Sequence, residues 1–525
     1  MFGSWLLPVT IVIPLIGAIV LCARPFRGNL RLVRVVTCAF VALTALAVLG
    51  VAVSGDQGIA IFELLPKVPL YFRADGPALL FAVLTVAMWL CSTLFACEYM
   101  RHETRERRYC CFSLLALGAL MGVSFSGNCV TTYLFYEMMT LASFPLVMHE
   151  QTKEAVSAGM TYLYYSLAGA FLGLVGIFFM YSYAADRTAD GGILAYVPGG
   201  FLRADLSGAQ KSGLLVVVFL MLVGFGSKVG MYPLHGWLPK AHPVAPSPAS
   251  ALLSGNITKM GILFVFRTVY YMVGPEFLRG TWVQNALLGL SLFTVFLGSM
   301  MAFREKVFKK RLAYSTVSQT SYILTGLYLL APAAAVGALL HVVFHSVVKN
   351  LLFLCAGAVI YRTGRRKVAE LKGIGHKMPV TMTCFTVGGL ALVGIPPLAG
   401  FVSKWYLASG ALDSKLAGWM YAVPVVLLIS ALLTAGYLLT VSADAFFTPE
   451  AEKHAKPDVA TAAEEETAAE PDAAATVQEP KTEEISEVGW RMRIPLIVLA
   501  CASIVFGIFP GFLTEFFEKI VSAVL

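Results

Sequence analysis

Four lysines stand inside apolar stretches of this 525-residue chain: Lys228, Lys259, Lys349 and Lys404. Glu137 is the one carboxylate in a comparable setting. An ionisable side chain at bilayer depth costs about 2.5–3.5 kcal/mol on insertion scales, and such residues mark ion and proton routes by default. In GALLHVVFHSVVKNLLFLCAGAV, residues His341, His345 and Lys349 recur at i, i+4 and i+8. That spacing sets all three on one face of a helix. Histidine exchanges protons near neutral pH, so such a file suits a proton relay. Two other readings compete. The H-x-x-x-H spacing also occurs in zinc sites, but the glutamate of the protease motif is missing. The histidines also suit static hydrogen bonding between helices.

Glu137 lies in TTYLFYEMMTLASFPLVM. A carboxylate buried in an apolar setting calls for a cation, and Lys228 is the natural partner. A structural ion pair is the alternative to a functional one. Lys259 follows Asn256 and Thr258 and stands about one turn into its helix, placed to connect Lys228 to the His341 helix.

Two segments must break the helices that carry these residues. GFGSKVGMYPLHGWLPKAHPVAPSPASALLSG contains Pro233, Pro239, Pro243, Pro246 and Pro248, which a continuous helix cannot hold. GLALVGIPPLAGFVSKW breaks at Pro396-Pro397. Irregular backbone at membrane depth is tolerated only inside protein or beside a water-filled cavity. Interrupted spans in both halves of a chain point to inverted repeats with a site at mid-membrane. Lys228 precedes the first break and Lys404 follows the second. Alternatively, the prolines only kink packed helices and the lysines snorkel.

The elements that position these residues are membrane helices. Hydrophobic residues make up 58% of the chain, charged ones 13%, and the mean hydropathy is +0.76. That excludes a soluble domain, which could not hide so much apolar surface. Apolar length predicts about 14 spans, with a further short apolar piece after the twelfth. The first, Trp5 to Leu21, has no basic region before it and reads as a mature span. Lys and Arg concentrate in alternate loops, such as Arg24–Arg34, Arg101–Arg108, Arg304–Arg311 and Arg362–Lys377. The opposite loops hold few, Arg267 and Arg279 among them. This bias orients both termini outside. The net charge of +8 therefore belongs to loops between spans and signals no nucleic acid.

The predicted organisation is N-terminal helices over 1–108, a first repeat over 109–272 and a second over 283–445. An acidic, disordered loop over 446–489 and a last span with a tail over 490–525 complete it. The acidic loop, with AAEEETAAEPDAAATVQEP, cannot build a core. Ten cysteines show no paired framework, and adjacent Cys110-Cys111 suits neither a disulfide nor a metal site. No Rossmann, Walker, iron–sulfur or haem signature is present, so neither cofactor nor metal is expected.

The motifs FYEMMTLASFPLV, GSKVGMYPLHGWLPKAHPVAPSPASALLSG, KKRLAYSTVSQTSYI, HVVFHSVVKNLLFL and GIPPLAGFVSKW carry a resemblance over nearly the whole chain. The chain resembles the antiporter-like, proton-translocating membrane subunits of respiratory complex I, Mrp Na⁺/H⁺ antiporters and group 4 hydrogenases. The resemblance implies an all-α polytopic fold of 14 helices. Helices 4–8 and 9–13 would form inverted five-helix repeats, with the seventh and twelfth broken near Pro233 and Pro396-Pro397. It implies a proton pathway of Glu137, Lys228, Lys259, His341, His345, Lys349 and Lys404. Lysine at 404 is more like the Mrp D subunit, where some members have glutamate. Val307 departs from the aspartate usual in relatives before the Lys-Arg pair.

The expected function is proton translocation, with Na⁺/H⁺ antiport in view, within a multi-subunit complex of the plasma (inner) membrane. The partners would be other membrane subunits, with no enzyme chemistry in this chain. A complex I-like oxidoreductase or group 4 hydrogenase subunit is the alternative assignment. A self-contained solute transporter and a subunit with purely static charges are the other readings.

Overall fold

A computed structural model describes residues 2–185, 191–449 and 485–525. Most of the expected acidic loop, 450–484, lies outside the described residues, as does 186–190. The protein is a bundle of helices. In chain order they are α1 (Phe2–Cys22), α2 (Leu30–Ser54), α3 (Gly76–Tyr99), α4 (Glu106–Phe125), α5 (Cys129–Val147), α6 (Lys153–Tyr183) and α7 (Gly208–Val229). A short α8 (Leu238–Val244) leads into α9 (Ser247–Val273). Then come α10 (Trp282–Arg304), α11 (Phe308–Tyr328), α12 (Pro332–Thr363), α13 (Pro379–Val393), α14 (Ala399–Asp413), α15 (Trp419–Phe447), α16 (Trp490–Ile508) and α17 (Gly511–Ser522).

Among the described residues, 11 helices are long and apolar enough to cross a membrane. The expected fifth, tenth and twelfth spans are helical but fall outside that set: α5 and α11 carry too many polar groups, and α13 is short. An antiparallel hairpin, β1 (Gly58–Leu65) with β2 (Val68–Arg73), departs from the purely helical expectation. Its strands lie in the connection between α2 and α3, and their backbone groups pair with each other.

Local chemistry fixes many helix starts. The side chains of Asn29, Asp75, Asn128, Thr152, Ser207 and Thr281 each accept a hydrogen bond from a backbone N–H three residues on. Each satisfies one orphan donor of a first turn. Two of the membrane-length helices lie deep in the bundle. The most apolar window of α9 is 100% buried and that of the 32-residue α12 is 94% buried. They pack tightly: a Cβ on Gly255 of α9 would collide with Asn350 Nδ2 of α12. Ser346 Oγ of α12 donates to the Gly255 carbonyl at 2.6 Å. Lys259, His341, His345 and Lys349 all belong to this protected pair.

Arg267, assigned to an outer loop by the charge pattern, is instead a buried residue of α9. Its guanidinium donates to both oxygens of Asp75 at 2.7 and 2.6 Å. Its face is covered by the rings of Tyr196 and Tyr271, at 4.8 and 4.7 Å. The apolar run hid it because its partner lies 192 positions away. Removing one member of a buried ion pair strands the other charge. Arg267→Ala should therefore lower stability by about 3–5 kcal/mol, read from unfolding in detergent. Adding Asp75→Asn, which keeps the capping oxygen, should recover part of that loss. A double variant no more stable than Arg267→Ala would refute the stranded-charge account.

Candidate functional site

Lys228 stands in the last turn of α7, one residue before that helix ends. Gly230 ends it with φ +90°, a left-handed conformation that side chains with a Cβ adopt at a cost. The chain then runs irregularly to α8 and enters α9 at Ser247. The Lys228 side chain is fully buried. Its Nζ donates to Ser166 Oγ at 2.8 Å, Thr140 Oγ1 at 2.9 Å and Tyr162 OH at 3.1 Å. It also lies 4.5 Å from the Tyr162 ring centre. Three hydroxyls from α5 and α6 thus use the three donors of the ammonium.

The expected contact between Glu137 and Lys228 is not an ion pair. Among the described residues no salt bridge joins them, and Glu137 Oε1 has no hydrogen-bond partner. Glu137 is half-buried, whereas Thr140, one turn further along α5, points inward and takes the lysine.

Lys259 lies just past a π-helical turn, Leu253–Ile257, of the kind often found at functional sites. Its Nζ donates to the Ser254 carbonyl at 2.7 Å and lies 2.5 Å from His345 Nδ1. His345 and His341 have ring centres 5.9 Å apart. His341 Nδ1 lies 2.9 Å from Ser403 Oγ, and its Nε2 lies 3.1 Å from Gln319 Oε1. The His341 ring stacks on Tyr322, and Tyr322 in turn lies 5.2 Å below the ammonium of Lys404. One file of side chains therefore runs from Lys259 through both histidines to Lys404.

Lys404 belongs to α14, but its Nζ donates to the carbonyls of Leu392 and Val393, at 2.7 and 2.8 Å. Those are the last carbonyls of α13, which stops at Val393, and Gly394 follows at φ +92°. The helix restarts at Ala399, beyond Pro396-Pro397. Both Lys228 and Lys404 thus sit at the C-terminal end of an interrupted helix, where the macrodipole favours a cation.

Three expected members stand aside from the file, Glu137 among them. Lys349 turns to α11, donating to Ser315 Oγ and to the Leu312 carbonyl. Lys228 meets α9 only by packing: a Cβ on Gly261 would lie 3.1 Å from Lys228 Cβ. Sequence reasoning missed Thr140, Tyr162, Ser166, Gln319, Tyr322 and Ser403, the polar partners. Gln319 was legible as a glutamine in the apolar-flanked STVSQTSY. The hydroxyls carried no signal, because serine and threonine in helices usually bond their own backbone. His242 was also missed. It is fully buried, stacks on Phe353 of α12, and neither ring nitrogen has a partner. Its neighbours Pro243, Val244 and Ala245 line a cavity of about 610 Å³ that also holds Glu103, Glu150, Glu154 and Lys309.

A buried helical bundle of this length and apolarity, with ionisable groups along its centre, is a multi-pass integral membrane protein. The chain belongs to the NADH:quinone oxidoreductase/Mrp antiporter transmembrane family, which matches residues 126–442. It is 32% identical over 378 residues to the N subunit of NADH-quinone oxidoreductase of Desulforudis audaxviator, covering 69% of this chain and 70% of that one. It is 27% identical over 465 residues to the D subunit of the Na⁺/H⁺ antiporter of Bacillus subtilis, covering 86% and 89%. The fold matches a chain of the Mrp complex from Dietzia with a TM-score of 0.81 at 23% identity, covering 100% of this chain and 98% of that one.

The hydroxyl cage makes a direct prediction. Hydrogen bonds to charged groups are worth about 1.5–3 kcal/mol each. Thr140→Val and Ser166→Ala should each destabilise the folded chain by about that amount. In a Lys228→Met background the same changes should cost much less. Equal costs in both backgrounds would mean that the hydroxyls do not hold the lysine.

Proposed function

We propose that this chain is a proton-translocating subunit of a multi-subunit membrane complex, closest in kind to the D subunit of an Mrp-type Na⁺/H⁺ antiporter. The observation that carries the reading is the file from Lys259 through His345 and His341, all three buried, to the half-buried Lys404, with no carboxylate among its members. Static ion pairing needs anions beside the cations, and here carbonyls, hydroxyls and imidazoles take that place. The match to an antiporter D subunit over 86% of this chain and 89% of that one supports the choice of complex. The 32% identity to a quinone oxidoreductase subunit supports the second reading, a membrane subunit of a redox-driven pump.

In this reading Glu137 sets the charge state of Lys228 through space. Lys259, His345 and His341 pass protons along the middle of the membrane. Lys349 is a side branch to α11, and Lys404 exchanges with the far side. The chain would cross the plasma membrane 14 times with both termini outside. Helices within 109–272 and 283–445 would be inverted repeats, each with one broken helix. The region 1–108 would flank them, and 446–489 would form a cytoplasmic loop ahead of the last span.

Lys228→Ala and Glu137→Gln should each abolish proton-coupled transport while the complex still assembles. Transport is measured by pH-sensitive dye quenching in membrane vesicles, and assembly by co-purification. Unchanged transport in both variants would sink the proposal. Solute uptake by the purified chain alone in liposomes would instead favour a self-contained transporter. Co-purifying subunits would separate the antiporter reading from the redox-driven one.

A further inference from the structure

Cysteine spacing shows no framework in the sequence, yet folding brings two distant thiols together. Cys38 of α2 and Cys97 of α3 face one another with sulfurs 3.4 Å apart, and both are partly exposed. They are 59 positions apart in sequence. Cys97 lies in the last turn of α3 and Cys38 in the first half of α2, so the contact sits toward one end of the bundle. Cys97 also lines a crevice with Arg34, Glu106 and Cys110. Arg34 pairs with the buried Glu106 there, at 2.6 Å. Arg34 also stands one helical turn before Cys38 on α2.

These are the conditions under which thiols react. Reactive cysteines are partly exposed and have cationic neighbours, whereas structural ones are buried and inert. Redox-sensing cysteines also stand beside a second, resolving thiol. Of the other cysteines, Cys110, Cys129, Cys355 and Cys384 are buried and lack the exposure, whereas Cys22 and Cys111 make a second neighbouring pair. Packing alone does not call for two thiols here, since any small apolar pair fills the same space.

We propose that Cys38 and Cys97 form a dithiol that peroxide oxidises to a disulfide, reversibly stapling α2 to α3. One sulfur attacks a peroxide oxygen and the O–O bond breaks, giving a sulfenic acid and water. The second sulfur then attacks the sulfenic sulfur and expels its oxygen as a second water. Two thiols and one hydrogen peroxide thus become one disulfide and two waters. A thiol reductant reverses the link by exchange. The staple matters to the centre of the molecule because α3 touches the histidine helix: Ser92 Oγ donates to Asn350 Oδ1 of α12 at 3.2 Å. Its chemistry does not depend on which ion the chain moves.

The test uses the full chain in membrane vesicles treated with hydrogen peroxide, then denatured, alkylated and analysed by peptide mass spectrometry. Cys38 and Cys97 should leave the alkylated pool together, and a peptide linking them should appear. Dithiothreitol should return both. Cys97→Ser should abolish the linked peptide, leaving Cys38 free or as a trapped sulfenic acid. Unchanged alkylation of both residues in the wild-type chain would overturn the proposal. Oxidation of either one to sulfinic acid with no linked peptide would overturn it too.

Discussion

The protein is organised around the need to keep ammonium groups in an interior that has almost no anions for them. Removing an isolated charge from water costs far more than a domain's net stability, so each buried cation must be met by dipoles in good geometry. Lys228 receives three hydroxyls, Lys259 a backbone carbonyl and an imidazole, and Lys404 the last two carbonyls of a helix. Arg267, by contrast, has a full carboxylate partner, and its place near the end of α9 lies apart from the file. The broken helices follow from the same need. A continuous helix spends its carbonyls on itself, whereas an interrupted one leaves its last carbonyls free to receive a cation.

This accounts for the lysine at the second proline-containing break, and a lysine stands at the first as well. At the first break the lysine is part of the helix that ends. At the second it reaches back from the helix that restarts. The two solutions differ in chemistry as well as in sequence order: hydroxyls of α5 and α6 hold the first ammonium, and the carbonyls of the helix that ended hold the second. The largely buried α9 and α12 lie between the two ends, held close by Gly255 against Asn350.

Much of this was legible in the sequence, because charge in an apolar run is rare and its cost is known. That ionisable side chains would lie within the bundle, and that the helical backbone would stop near the prolines, could be read from residue type and spacing. The partners could not. Hydroxyls are common in membrane helices, and nothing local distinguishes Thr140 or Ser403 from a serine bonded to its own backbone. Arg267 is misplaced by sequence because positive charge near a span end reads as a loop residue until Asp75 is seen beside it. The Glu137–Lys228 pairing follows from charge alone, but side-chain direction decides contact, and Thr140 holds the inward position on α5. The hairpin after α2 is invisible to helical patterning because its register forms only once both strands meet.

The spacing of the two histidines has a further consequence. Their ring centres lie 5.9 Å apart. At an effective dielectric of about 20, two positive charges that far apart repel by roughly 3 kcal/mol. Double occupancy is therefore suppressed by roughly a hundredfold, since about 1.4 kcal/mol is a factor of ten. On the proposed pathway the pair would act as a single berth, so that a charge entering from the Lys259 side would push the previous one on toward Lys404. Traffic along such a row is ordered by mutual exclusion, with no moving part larger than a side chain.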